Sequence, residues 1–354
     1  MSDVYDFIDF VEFVDHCTKS KKSGVRRYLR DHSDPFKKYT VIEFHKRYKF
    51  TPDVVKHVIL PLIEPDLQTP SKRGLPFAPE IKLLTTLRYL ATGNFQTTAE
   101  DVMNMSRASV SRVIIQTTQV LASKMQDFVK FPSTAEEISK IKQKFYEIDN
   151  FPEVIGCIGG THIKIKTQSA DISHIYQNKN GWNSINVQAV TGPNMEFFYL
   201  LAKWPGSIYD NVIYKNSTLK QRFINGTLEG TLLGDNKFGV YNELLTPFLS
   251  PTSPGQEAYN KSLNITRNTI EKCFHLWKTR FSCLQVGMGR NLDTVYEVIY
   301  ACAVLHNIAV QVNEVDLFYC GYNIHDDVQL IPIQEDPTSS GYIARQALVE
   351  RFFS

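Results

Sequence analysis

The chain has 354 residues, 43% of them hydrophobic and 21% charged. That composition excludes a wholly disordered chain and leaves room for two domains. The formal net charge is only +2, so any nucleic-acid role must rest on local basic patches rather than on the overall field. Cys17, Cys157, Cys273, Cys283, Cys302 and Cys320 show no C-x-x-C pair and no zinc spacing. No stretch approaches the ~18 uninterrupted apolar residues of a membrane span. The opening Met1-Ser2-Asp3-Val4-Tyr5-Asp6 has no apolar signal core. The expectation is a soluble, intracellular protein with reduced thiols and no membrane association.

In chain order, Lys19, Lys21, Lys22, Arg26, Arg27 and Arg30 form a cationic block, either a solvated helix face or a phosphate-contacting arm. The Asp34-Pro35 step after it is a turn or helix-stop signal. Residues 52–130 read as helices. Val54, Val55, Val58, Ile59 and Leu62 recur with helical period. Pro79 opens a second helix that Gly93 ends. A short helix over Thr98 to Met103, a polar turn, and a helix from Ser106 to Ile115 have helix-turn-helix grammar, with an ordinary helical hairpin as the alternative. Arg107, Ser109 and Arg112 near the start of that last helix are the candidate DNA contacts. Phe131-Pro132-Ser133-Thr134 is a break, and a charged helix to Lys144 follows.

From Phe151-Pro152 onward, strand signals dominate. Val154 to Ile158, His162 to Lys166, Ile185 to Val190, Glu196 to Ala202 and Gly230 to Leu233 are strand-like. Helices return over about 262–282 and 291–313, with a short one over Ile343 to Phe353. The expected fold class is α/β, a mixed sheet flanked by helices, preceded by an all-α helix-turn-helix domain. The expected divisions are 1–130 (helical), 131–153 (linker helix), 154–312 (sheet domain) and 313–354 (tail with a short helix).

Phosphodiester cleavage near neutral pH is served by two Mg²⁺ ions about 3.5–4 Å apart, held by carboxylates on neighbouring elements. Three acids are candidates. Asp235 ends the apolar strand Thr231-Leu232-Leu233-Gly234, where α/β sheets place ligands; the alternative is a turn Asp beside Asn236. Glu271 borders the apolar stripe Ile270, Phe274, Trp277 and Phe281; the alternative is a surface Glu paired with Arg267 or His275. Asp210 stands at capping-box spacing from Ser207, which makes a structural cap its rival.

Gly156-Cys157-Ile158-Gly159-Gly160-Thr161-His162 resembles the opening motif of the Harbinger transposase-derived nucleases, Gly-x-Ile-Asp-Gly-Thr-His. Trp204-Pro205-Gly206-Ser207-Ile208-Tyr209-Asp210, Leu232-Leu233-Gly234-Asp235, Arg267-Asn268-Thr269-Ile270-Glu271 and Ala301-Cys302-Ala303-Val304-Leu305-His306-Asn307 resemble the family's later motifs in order. The resemblance runs over roughly residues 25–312. It implies a ribonuclease-H-like, DDE-type endonuclease that cuts DNA with a divalent metal, Mg²⁺ or Mn²⁺. It assigns the metal to Asp210, Asp235 and Glu271, with Asp235 and Glu271 catalytic. It also implies a nuclear location, a separate Myb-like DNA-binding partner, and the prospect of homo-oligomers. The departure is Gly159, which stands where the family carries its first metal-binding aspartate. Thr161 shares the face of position 159, His162 points away, and Asp171 is expected in a following loop. The alternative function is a domesticated DNA- or protein-binding protein that keeps the fold without cutting.

Overall fold

The computed structural model describes residues 34–68, 77–94, 105–166, 170–289, 291–314 and 336–353. The basic block Lys19 to Arg30 and the expected short helix Thr98 to Met103 lie outside the described residues, and with the latter the first helix of the helix-turn-helix reading.

The helical part begins with a short turn, Pro35–Lys38, directly after the expected stop signal. Helix α1 (Val41–Tyr48) starts at a capping box, in which Thr40 and Glu43 satisfy each other's backbone N–H groups. Pro52 opens a helical run that passes through a π-helical turn, Val55–Ile59, into α2 (Leu60–Leu67). Helix α3 (Pro79–Thr92) has Pro79 at its first position and stops at Gly93, which takes the left-handed conformation. Helix α4 (Arg107–Ser123) is capped by Ser106, whose side chain accepts from the Ser109 N–H. Helix α5 (Ala135–Asp149) has a second capping box, Thr134 with Glu137.

The sheet follows. Strand β1 (Val154–Lys164) is one continuous strand, where the sequence suggested two pieces on either side of Gly159-Gly160. After α6 (Ala170–Tyr176) come β2 (Ser184–Thr191) and β3 (Phe197–Pro205). Asp171, expected in a loop, lies within α6. Helices α7 (Asp210–Lys215) and α8 (Thr218–Ile224) lead to β4 (Thr231–Leu233) and the two-residue β5 (Leu244–Leu245). The order across the sheet is β3-β2-β1-β4-β5. Strands β1, β2 and β3 pair antiparallel, while β4 and β5 run parallel to β1. The mixed α/β sheet expected from the sequence is present, and this arrangement is consistent with a nuclease fold.

Helices α9 (Pro254–Arg280) and α10 (Leu292–Gln311) cover one face, and α11 (Ser340–Phe352) packs beside α9. The α9 stripe Ile270, Phe274, Trp277 and Phe281 is buried as its spacing requires. One hydrophobic core runs from Phe44 of α1 through Ile114 of α4 to Trp277, Val304 and Val349, so the helical part and the sheet share an interior. A second cluster around Ile158, Val190, Tyr214 and Leu232 fills the opposite face, under α7 and α8. No described helix is long and apolar enough to cross a membrane.

Candidate functional site

Side chains alternate between the faces of a strand, and the two central glycines of β1 show which face is which. A Cβ at Gly159 would meet Ile270 Cδ1 at 3.1 Å and Phe274 Cε2 at 3.2 Å, both on α9. A Cβ at Gly160 would lie 2.3 Å from Asp210 Oδ1. Position 159 therefore belongs to the α9 face, and the Asp210 carboxylate occupies the opposite face in the space that Gly160 leaves free.

Asp235 follows β4, the parallel neighbour of β1. Its Oδ1 accepts the Lys237 N–H at 2.9 Å, the turn that Asp-Asn steps favour. Its Oδ2 lies 3.9 Å from Arg267 Nη1 and 3.8 Å from Lys237 Nζ. The same Arg267 Nη1 donates to Glu271 Oε1 at 2.8 Å. One guanidinium nitrogen thus faces both acids, and Asp235 and Glu271 converge although widely separated in sequence. The sequence alternative for Glu271, an ion pair with Arg267 one helical turn away, is realised and is part of this convergence. Burial opposes the Arg267 charge, but Asp235 and Glu271 outweigh it and hold the guanidinium above its ordinary value.

Asp210 is set differently. It is the first residue of α7, and Tyr209 is the cap. No Ser207 capping box forms, because the Ser207 hydroxyl donates to the Ile175 carbonyl at 2.6 Å instead. Asp210 Oδ1 accepts from Asn186 Nδ2 at 2.8 Å, and Gln188 Nε2 donates to the Asp210 carbonyl at 3.1 Å. Burial raises the Asp210 carboxyl above the usual carboxylate range; the Asn186 amide pulls it back, and nearby Asp235 adds to the rise. Asn186 and Gln188 were not singled out from the sequence. Their signal was there: two amides with period two inside an otherwise largely apolar strand.

His162 hydrogen-bonds Ser184 Oγ through Nδ1 at 2.9 Å, and its carbonyl accepts from Lys278 Nζ at 3.1 Å. Burial, with Lys278 and Lys237 nearby, lowers its pKa to about 4, so the ring is neutral at pH 7. Of the DNA-contact candidates, Arg107 and Arg112 are exposed, whereas Ser109 is engaged with the Ser106 cap.

The donor set can be weighed against a divalent cation from these positions. Asp235 and Glu271 supply hard oxygen atoms on one face, β1 supplies no carboxylate there, and Asp210 sits across the strand. Among the described residues, no three His, Cys, Asp or Glu side chains gather closely enough to hold a metal ion. Two carboxylates suit one hard cation; they do not suit a pair of them.

The DDE superfamily endonuclease family matches residues 158–307, a span that contains all these acids. A Bos taurus protein named "Putative nuclease HARBI1" is 32% identical over 260 residues, covering 72% of this chain and 74% of its own length. This chain belongs to the Harbinger transposase-derived nuclease family. The Homo sapiens protein of the same name is 31% identical over the same length and coverage. An Arabidopsis thaliana "Protein ALP1-like" is 26% identical over 258 residues, 68% of this chain and 63% of its own. No solved structure matches. The DDE superfamily generally uses divalent metals, and the central strand of this chain bears glycine at position 159.

Proposed function

We propose that this chain is a transposase-derived, ribonuclease-H-like DNA endonuclease in form whose hydrolytic step is lost or severely reduced, while DNA binding persists. The observation that carries this reading is Gly159. On the face where Asp235 and Glu271 meet Arg267, the central strand presents no carboxylate. Asp235 and Glu271 are the residues that would hold a divalent cation, Mg²⁺ or Mn²⁺, and Asp210 is the remaining acid near them. When bound, such an ion supplies Lewis-acid polarisation of the phosphate and an activated water. The chain's own groups do the rest. Arg267 and Lys237 neutralise the two acids, and His162, on the other face of β1, is neutral.

Helix α4, with Arg107 and Arg112 exposed, is the DNA-facing element of this proposal. The near-neutral net charge favours shared binding with a Myb-like DNA-binding partner in the nucleus. The test is plasmid nicking by the full chain in Mg²⁺ and in Mn²⁺, beside Glu271→Ala. The two proteins should cut equally little. Strong cutting by the unaltered chain that disappears in Glu271→Ala would overturn the proposed loss of hydrolysis.

A further inference from the structure

Beyond the carboxylate crevice, the far end of β1 borders a pocket of about 560 Å³ that the nuclease reading does not use. Four pieces of chain wall it: Tyr89 to Asn94 at the end of α3, Arg107 at the start of α4, Lys166 just past β1, and Val286 to Gly289. Their mutual placement is fixed by backbone. The Lys166 N–H donates to the Met288 carbonyl at 3.0 Å, and the Met288 N–H donates to the Lys164 carbonyl at 3.1 Å. Gly93 and Gly287 both take positive φ, and a Cβ at Gly93 would lie 2.3 Å from Val286 Cγ2. The end of α3 therefore seats directly against the 286–289 loop, and the walls are preformed rather than assembled by a ligand.

The lining is one-signed. Among the described residues it includes Arg107 and Lys166 and no carboxylate. Lys164 stands beside it, with its Cγ 3.5 Å from a Cβ built at Gly287. Arg107, Lys164 and Lys166 have no ion-pair partner among the described residues, whereas Lys124, Lys142 and Lys220 elsewhere each meet an acid. Unpaired cations gathered in a preformed recess repel one another unless an anion joins them, and DNA-binding surfaces are built this way.

We propose that this pocket grips the DNA backbone, with Arg107 and Lys166 as its phosphate contacts and Lys164 beside them. The proposal rests on the DNA reading above and makes it specific. Arg107 would then hold the duplex in register with the sheet rather than read bases in a groove.

The test is fluorescence anisotropy of the full chain with two unrelated 30-base-pair duplexes across a salt series. It compares the unaltered chain, Arg107→Ala/Lys166→Ala and Lys166→Glu, with thermal melts to confirm folding. The double variant should flatten the slope of log K against log salt by about 1.8 and bind several tens of times more weakly at 0.1 M salt, equally on both duplexes. Lys166→Glu should weaken binding further than removal of that lysine alone predicts. An unchanged slope in folded variants, with the unaltered chain binding normally, overturns the pocket and leaves the DNA reading standing. A loss confined to one duplex overturns the phosphate assignment in favour of base contact. Failure of the unaltered chain to bind either duplex overturns both.

Discussion

A Cβ at position 159 would come within 3.1 Å of Ile270 Cδ1 and 3.2 Å of Phe274 Cε2, so Gly159→Asp needs those side chains to give by a few tenths of an ångström. Relieving glycine in a strand favours the substitution by roughly 0.5–1 kcal/mol, while overpacking opposes it by about 1–3 kcal/mol. A third acid near the single Arg267 guanidinium adds further cost without a cation. In EDTA, Gly159→Asp should therefore lower the unfolding free energy by about 1–3 kcal/mol. Adding Ile270→Val removes the clashing methyl; its usual cost of about 0.5–1.5 kcal/mol should be offset, and the pair should be non-additive. Mg²⁺ should then stabilise the double variant by about 2.7 kcal/mol at one hundred times its Kd, and stabilise the unaltered chain less at the same concentration. Urea unfolding with and without Mg²⁺ reads the stability, and plasmid nicking reads gained cutting. Equal Mg²⁺ stabilisation of both proteins would refute the reasoning, because position 159 would then contribute nothing to the ion site.

Arg267→Ala should destabilise the chain by about 1–3 kcal/mol by leaving Asp235 and Glu271 facing each other, and the vacated pair should respond to Mn²⁺ more than the unaltered chain does in thermal melts. Asp210→Asn should raise the unfolding free energy at pH 7, since burial disfavours the charged carboxyl; a loss of stability in urea titration would show the charge is needed there. His306 is buried and its pKa falls from 6.5 to about 4, so the unfolded chain binds its proton first. Its stabilising effect is present above pH 6.5 and fades as pH drops toward 4, by about 3 kcal/mol in total. His306→Gln should flatten that part of the stability–pH profile measured by urea unfolding.

How far the sequence reveals this molecule depends on which force decided each element. Where burial decided, periodicity was enough: the stripe Ile270, Phe274, Trp277 and Phe281 faces the core, and β2 falls within a residue of its apolar run. Where capping decided, one residue was enough, as at Ser106 and Gly93. The long helix α9 was expected from about residue 262 but starts at Pro254, because polar Asn260, Lys261 and Asn264 hide the early turns. Strand β5 is two residues that exist only through pairing with β4, so nothing local announces it. Gly159-Gly160 reads as a break, yet it is a strand centre: α9 crowds one glycine and Asp210 the other. The convergence of Asp235 and Glu271 was legible from motif order. The side of β1 on which Asp210 sits was not, because that depends on where α7 packs, and spacing in the chain carries no such information.

The placement of charge along β1 separates two tasks. At position 159 the neighbouring acids are matched by Arg267 and Lys237, so this stretch carries little net field toward a phosphate chain. Five to seven residues further on, Lys164 and Lys166 join Arg107 with no acid among the described residues to answer them. On the proposed reading, attraction of a polyanion depends on the second group, and hydrolysis would depend on oxygen atoms gathered at the first. Loss of the carboxylate at 159 therefore removes nothing from the second group, and it also relieves the crevice of a negative charge that would repel DNA. On the proposed grip, a chain with glycine at this position should hold DNA at least as well as Gly159→Asp does, and weaker binding by the unaltered chain in the salt-series anisotropy would refute that separation of tasks.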